Sequence, residues 1–186
     1  MTLADIKKRV YALIEELNPN SEYLTNDEDY KLKINYCIDT KQNELARIKK
    51  IRAIDSIEVK MQEQYDLNEE VDQFYKLADL SIKNGDEVVN YDMFGNIFVP
   101  ENDGTATIKY YKYPKVIKED TPDTYKFELD QDVLEILPYG VAADLLKADI
   151  SAQYGQVYAN AYNEALNRLD IATTNNQYFI SGGIDV

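Results

Sequence analysis

The side chains of this sequence that could do chemistry are mostly of one kind. Asp and Glu number 34 against 20 Lys and Arg, with 16 tyrosines, one cysteine and no histidine. Without histidine, Ser–His and Cys–His nucleophile pairs and histidine-ligated zinc are excluded. Neither a GxxxxGK[ST] run nor a GxGxxG run occurs, so the usual phosphate cradles are missing. Catalysis would fall to carboxylates, Tyr, Lys and the lone thiol. Among so many carboxylates some pair always lies close, so a glycosidase-type pair has no spacing in its favour. Asp27, Glu28 and Asp29 suggest a calcium loop, but the glycine at its sixth position and the closing Glu are absent. A solvated helix start accounts for them. Cys37 lies within an apolar helical stripe and reads as a small buried hydrophobe rather than a reactive thiol. The expectation is a non-enzymatic protein with no cofactor and no metal.

The charge balance narrows the partners. A net charge of −14 and a pI near 4.4 argue against gripping a nucleic-acid backbone, which needs clustered Lys and Arg. The few basic clusters have bland explanations: Lys41, Arg47, Lys49, Lys50 and Arg52 crowd the end of a helical segment, where cations complement the macrodipole. No apolar run approaches the roughly 18 to 20 residues of a membrane span. The N-terminus reads as an amphipathic helix rather than a signal peptide. One cysteine allows no internal disulfide and is consistent with a reducing compartment.

Several elements must position whatever surface matters. Thr2 and Asp5 form a weak capping box, followed by an apolar stripe of Leu3, Ile6, Val10, Leu13, Ile14 and Leu17. Asn18, Pro19 and Asn20 should stop that helix. Thr25 and Glu28 open a second helix with the stripe Tyr30, Ile34, Cys37, Ile38, Leu45, Ile48. Near residue 54 the period changes to two, with Ile57, Val59, Met61, Tyr65 and Leu67 alternating against polar neighbours. Turn signals at Asn84-Gly85, Phe94-Gly95-Asn96 and Asn102-Asp103-Gly104 predict a meander of hairpins, because tight turns demand positive φ. Alternation puts Tyr110 on one sheet face and Tyr111 and Tyr113 on the other. The acidic stretch 118–132, with Pro122, reads as a linker.

Pro138 suits a helix start. From Val141 the positions spaced four and three apart are all apolar or small: Val141, Leu145, Ala148, Ala152, Gly155, Ala159, Tyr162, Leu166, Leu169. That period predicts one long helix with a narrow seam, stripped of bulk at Ala148, Ala152, Gly155 and Ala159, where another helix or a neighbouring subunit can approach closely. Gly155 marks either that close contact, the preferred reading, or a kink. After a polar stop at 173–176, Tyr178, Phe179, Ile180, Gly182, Gly183 and Ile184 form a short apolar tail. It is either a frayed terminus or an extended arm that docks on a neighbour.

The predicted fold class is α+β, a helical bundle with an inserted small antiparallel β module and a long C-terminal helix. The expected parts are N-terminal helices over 1–53, a β module with linker over 54–130, the long helix over 131–172, and an arm over 173–186.

Four stretches carry a resemblance: TLADIKKRVYALIEEL, NDEDYKLKINYCIDTKQNELARIKKI, IKYYKYPKVI and LEILPYGVAADLLKADISAQYGQVYANAYNEALNRLD. Together they resemble head-tail connector (adaptor) proteins of Firmicute phages and prophages, over most of the chain. The resemblance implies a helical structural protein, often with an inserted module, forming a homo-oligomeric ring that is commonly dodecameric. It implies as partners other copies of itself, the portal protein above, and the stopper or tail-completion protein below. It places the chain in the neck of the virion, and in the host cytoplasm during assembly, with DNA passing through unbound and no membrane involved. The arm residues would then contact a neighbour or the portal. The insertion is larger here than in many relatives. Two other classes compete: an acidic DNA-mimic inhibitor of the anti-restriction type and, with less support, a carboxylate hydrolase.

Overall fold

The structure is a computed structural model that describes residues 1–14, 28–147 and 152–175. The chain is α+β and divides into two compact units. One is Met1–Lys49 with Val116–Val186, the other Lys50–Lys115.

The helical unit begins with α1 (Leu3–Leu13) and α2 (Glu28–Ile48). The Thr2–Asp5 capping box is complete in both directions: the Asp5 carboxylate accepts from the Thr2 amide at 2.8 Å, and the Thr2 hydroxyl accepts from the Asp5 amide at 3.3 Å. Leu3, Ile6 and Val10 are buried as the stripe requires, and Tyr11 joins them. The helix ends at Leu13, earlier than expected; 18–20 and the Thr25 cap lie outside the described residues. On α2, Ile34, Ile38 and Leu45 are buried and Cys37 is half-buried.

The second half of this unit holds a short α4 (Gln131–Leu134), then α5 (Leu137–Leu146) and α6 (Ala152–Asn175). Here the expectation of one helix through Val141 and Leu169 is corrected. A Cβ placed on Gly155 would lie 3.3 Å from the Leu146 Cβ. Nine residues along a straight helix would separate those positions by about 13 Å. The two helices therefore pack on each other, and a pattern that looked like one seam serves two elements. The long C-terminal helix itself is present as α6. Helix α5, with Pro138 in its first turn, is buried nearly all round and packs against α1, α2 and α6.

Residues 116–130 belong to the helical unit, not to the β module. The Leu3 and Ala4 amides donate to the Tyr125 and Asp123 carbonyls, Thr2 bridges Lys126, and Ile117 and Leu129 are buried. The boundary expected at 130 thus lies at Lys115.

The β unit contains β1 (Ile51–Val59), β2 (Tyr65–Asp66), α3 (Leu67–Glu70), β3 (Phe74–Asn84), β4 (Glu87–Val89), β5 (Tyr91–Phe94), β6 (Ile97–Pro100) and β7 (Gly104–Lys112). Gly85 and Gly95 take positive φ of 61° and 66° in the β3–β4 and β5–β6 turns, as the sequence predicts. The strands do not form a simple meander. They make two antiparallel sheets, ordered β1-β7-β3-β4 and β2-β6-β5. The Asn102-Asp103-Gly104 turn passes from one sheet to the other. Gly104 is required there by close approach, since a Cβ would lie 2.6 Å from the Lys83 carbonyl oxygen. The run expected to alternate from Ile57 to Leu67 breaks after Val59, where Gln62 adopts a φ of 61°. Val59, Leu67, Leu80, Ile82, Phe98 and Ile108 make the core of this unit, with Tyr110 inward and Tyr111 half-buried on the other face.

Candidate functional site

The predicted seam residues are placed as follows. Ala148 lies outside the described residues, and Ala152 opens α6. Gly155 is buried against α5, its built Cβ 3.4 Å from the Ala143 carbonyl oxygen, and Ala159 is half-buried one turn on. The arm residues Tyr178, Phe179, Ile180, Gly182, Gly183 and Ile184 lie outside the described residues.

The densest polar grouping in the helical unit was not singled out from the sequence. Lys41 on α2 reaches Glu44 at 3.0 Å and Asp144 on α5 at 3.4 Å, and its ammonium sits 4.9 Å from the centre of the Tyr162 ring on α6. Tyr162 fills the space left by Gly140, where a Cβ would lie 2.8 Å from the ring. One cation thus ties three helices, and the ring beneath it is 3% exposed. The hydroxyl lies close enough to Glu44 to feel its charge, without the geometry of a hydrogen bond.

The electrostatics make this a packing node rather than a reactive pair. Burial would lower the Lys41 pKa, but the Glu44 hydrogen bond and the Asp144 and Glu44 charges outweigh it and hold the ammonium above its ordinary value. Burial, then Glu44, raises Tyr162. Burial first, then Asp144, raises the Cys37 thiol, with Lys41 and Lys33 opposing. A thiol so shifted is a poor nucleophile at neutral pH.

A second polar row runs along α2. Asn35 donates to the Lys118 carbonyl at 2.8 Å, and the Asp39 carboxylate accepts from the Ile117 amide at 2.7 Å and from Gln42 at 2.9 Å. Asn43 donates to the Asp39 carbonyl at 2.8 Å. These side chains replace strand partners for the backbone of 117–119, which must be satisfied where it crosses the helices. Asn35, Asp39 and Gln42 sit among many other polar residues of α2, such as Lys31, Lys33, Thr40 and Asn43, so no signal in the sequence sets them apart.

In the β unit, Tyr110 donates to Asp55 at 2.6 Å. Burial first, then that bond, raises its pKa. Tyr125 in the helical unit is pushed up to about 12, mainly by burial. Each of these phenols, like Lys41, has a folded pKa above its unfolded value, so each stabilises the fold below that unfolded value. The contribution is lost as pH rises through the folded pKa. Thermal unfolding midpoints should therefore hold level towards pH 10 and drop between there and about pH 12. A midpoint unchanged over that alkaline window would contradict the burial of these groups.

Outward-facing apolar residues are the remaining functional signal. Leu32 and Tyr36, one turn apart on α2, are 59% and 73% exposed, and Tyr154 and Val157 on α6 are 67% and 61% exposed. Among the described residues no group of three or more His, Cys, Asp or Glu is placed to hold a metal, and no helix is long and apolar enough to cross a membrane. No protein-family model matches the chain, and no curated protein matches it.

Proposed function

We propose that this chain is a structural adaptor in the head-to-tail joint of a tailed bacteriophage. It would form a ring below the portal around the DNA exit channel and link the portal to the stopper or tail-completion protein. The observation that carries the reading is the pair of outward apolar patches, Leu32 with Tyr36 and Tyr154 with Val157, on helices that already bury another side through Ile34, Ile38 and Leu45 on α2 and Gly155, Tyr162 and Leu169 on α6. Large exposed side chains repeated at helical spacing are a cost in water unless a neighbour covers them. A homomeric ring provides such a neighbour, one patch meeting a different patch on the next copy. The resemblance of the helical segments to phage adaptors points the same way. The surplus of carboxylates suits a channel that lets DNA slide past without sticking.

The deciding test is quantitative mass spectrometry of purified particles of the phage that encodes the chain. The expected result is a low, fixed copy number on the order of one ring per virion. A chain abundant in infected cells but missing from virions would overturn the adaptor reading and favour the acidic inhibitor.

A further inference from the structure

The four-stranded sheet buries one face and leaves the other open. At one end of the open face two rows cross β1, β7 and β3: Arg52, Tyr111, Lys76, and then Ile54, Lys109, Asp79. Two irregularities in β3, between Phe74 and Lys76 and between Leu77 and Asp79, set Lys76 opposite Tyr111 and Asp79 opposite Lys109. Lys109 pairs with Asp79 at 2.9 Å. Lys50 lies over the Tyr111 ring, 5.1 Å from its centre. Arg52 and Lys76 are exposed and make no ion pair or hydrogen bond among the described residues.

Unanswered cations are unexpected here. With 34 acidic side chains for 20 basic ones, a chain has carboxylates to spare, and a surface cation normally finds one. Instead Lys50 lies over a tyrosine whose partners on the two neighbouring strands are Arg52 and Lys76, beside an isoleucine that is 65% exposed. Arg and Tyr are both enriched at protein interfaces. The bulges that aim Lys76 at this row are features kept where a strand must redirect a side chain.

We infer that this sheet face binds an acidic protein surface, namely the segment 119–135 of a second copy. That segment holds seven carboxylates and one lysine. Asp123 and Asp132 are answered by Lys7 and Lys49. Glu119, Asp120, Asp130 and Glu135 are exposed with no ion pair among the described residues. A cationic patch and a different anionic patch on the same chain make a head-to-tail contact, which closes into a ring when the rotation allows. The choice of a second copy as occupant rests on the ring reading above. A duplex fits less well, because three cations release few counterions and the net charge of −14 repels phosphate.

The test is sedimentation of the full chain in low and high salt, with Arg52→Glu/Lys76→Glu and Asp130→Lys/Glu135→Lys as paired variants. Wild type should associate in low salt and dissociate as salt rises. Each double reversal should raise the concentration for half-association by about tenfold or more, since like charges across an interface repel. Mixing the two reversed variants should restore association. All four positions are exposed, so circular dichroism should show both variants folded; Arg52→Gln/Lys76→Gln serves if the reversal is not. A wild type that stays monomeric in low salt overturns the inference, as does association indifferent to Arg52 and Lys76. Salt-sensitive binding of a labelled oligonucleotide, lost in the Arg52/Lys76 variant, would reassign the face to nucleic acid. Virion incorporation is measured separately, so the contact can fail while the adaptor reading stands.

Discussion

Gly140→Val is expected to lower the stability of the helical unit by about 3 kcal/mol or more. Removing glycine from a helix interior ordinarily stabilises by up to about 1 kcal/mol. Here a single added carbon would lie 2.8 Å and 2.9 Å from two ring carbons of Tyr162 and 3.1 Å from the Lys41 side chain. The ring has little room to withdraw, because it is buried and Lys41 is held over it by Glu44 and Asp144. Valine adds two further methyl groups to that clash. Overpacking would thus be compounded by loosening the ion pairs that join α2 to α5. A drop in urea midpoint measures the effect. In a double-mutant cycle, Gly140→Val with Tyr162→Ala should cost less than the sum of the two single changes. Additive costs would mean that the ring and the glycine do not compete for one space.

Phe98→Ala should have the largest effect in the β unit, about 3–5 kcal/mol. Phe98 is 0% exposed, stacks on Tyr65 at 5.3 Å and meets Tyr91 edge-on at 6.4 Å. Units of roughly 60 to 70 residues bury a modest share of their surface, so such a loss rivals their whole stability. Hydrogen exchange would then show strand amides of β3 and β7 losing protection while those of α2 and α5 keep theirs. Protection lost equally in both places would mean the two units unfold as one.

Local chemistry was legible where it was self-contained. The Thr2–Asp5 box, the Asn84-Gly85 turn and the alternation around Tyr110 each depend on residues a few positions apart, and each forms as the sequence implies. Long-range relations were not. A seam of small residues from Val141 to Leu169 is satisfied equally by one helix against a partner or by two helices against each other, and periodicity cannot separate the cases. The β1–β7 pairing joins strands at the two ends of the unit, with all the others between them, so turn signals alone suggested a meander. The roles of Asn35 and Asp39 were hidden because the backbone they hold, at 117–119, lies some eighty positions away. Lys41 was read as a macrodipole complement when its role is to join helices. The candidate interface face was equally hidden, since Lys76 reaches Tyr111 only through the irregular stretch of β3.

The pairing of Ile51 with Lys112 has a consequence for how such a chain arises. The inserted module begins and ends on adjacent strands, so its entry and exit lie side by side. From the helices' standpoint the insertion is a short hairpin, whatever is folded beyond it. Closing an unstructured loop of that length instead of a short turn would cost about 2 kcal/mol more in chain entropy. A module built this way can be gained, enlarged or shed between lineages while the bundle that carries it keeps its own topology.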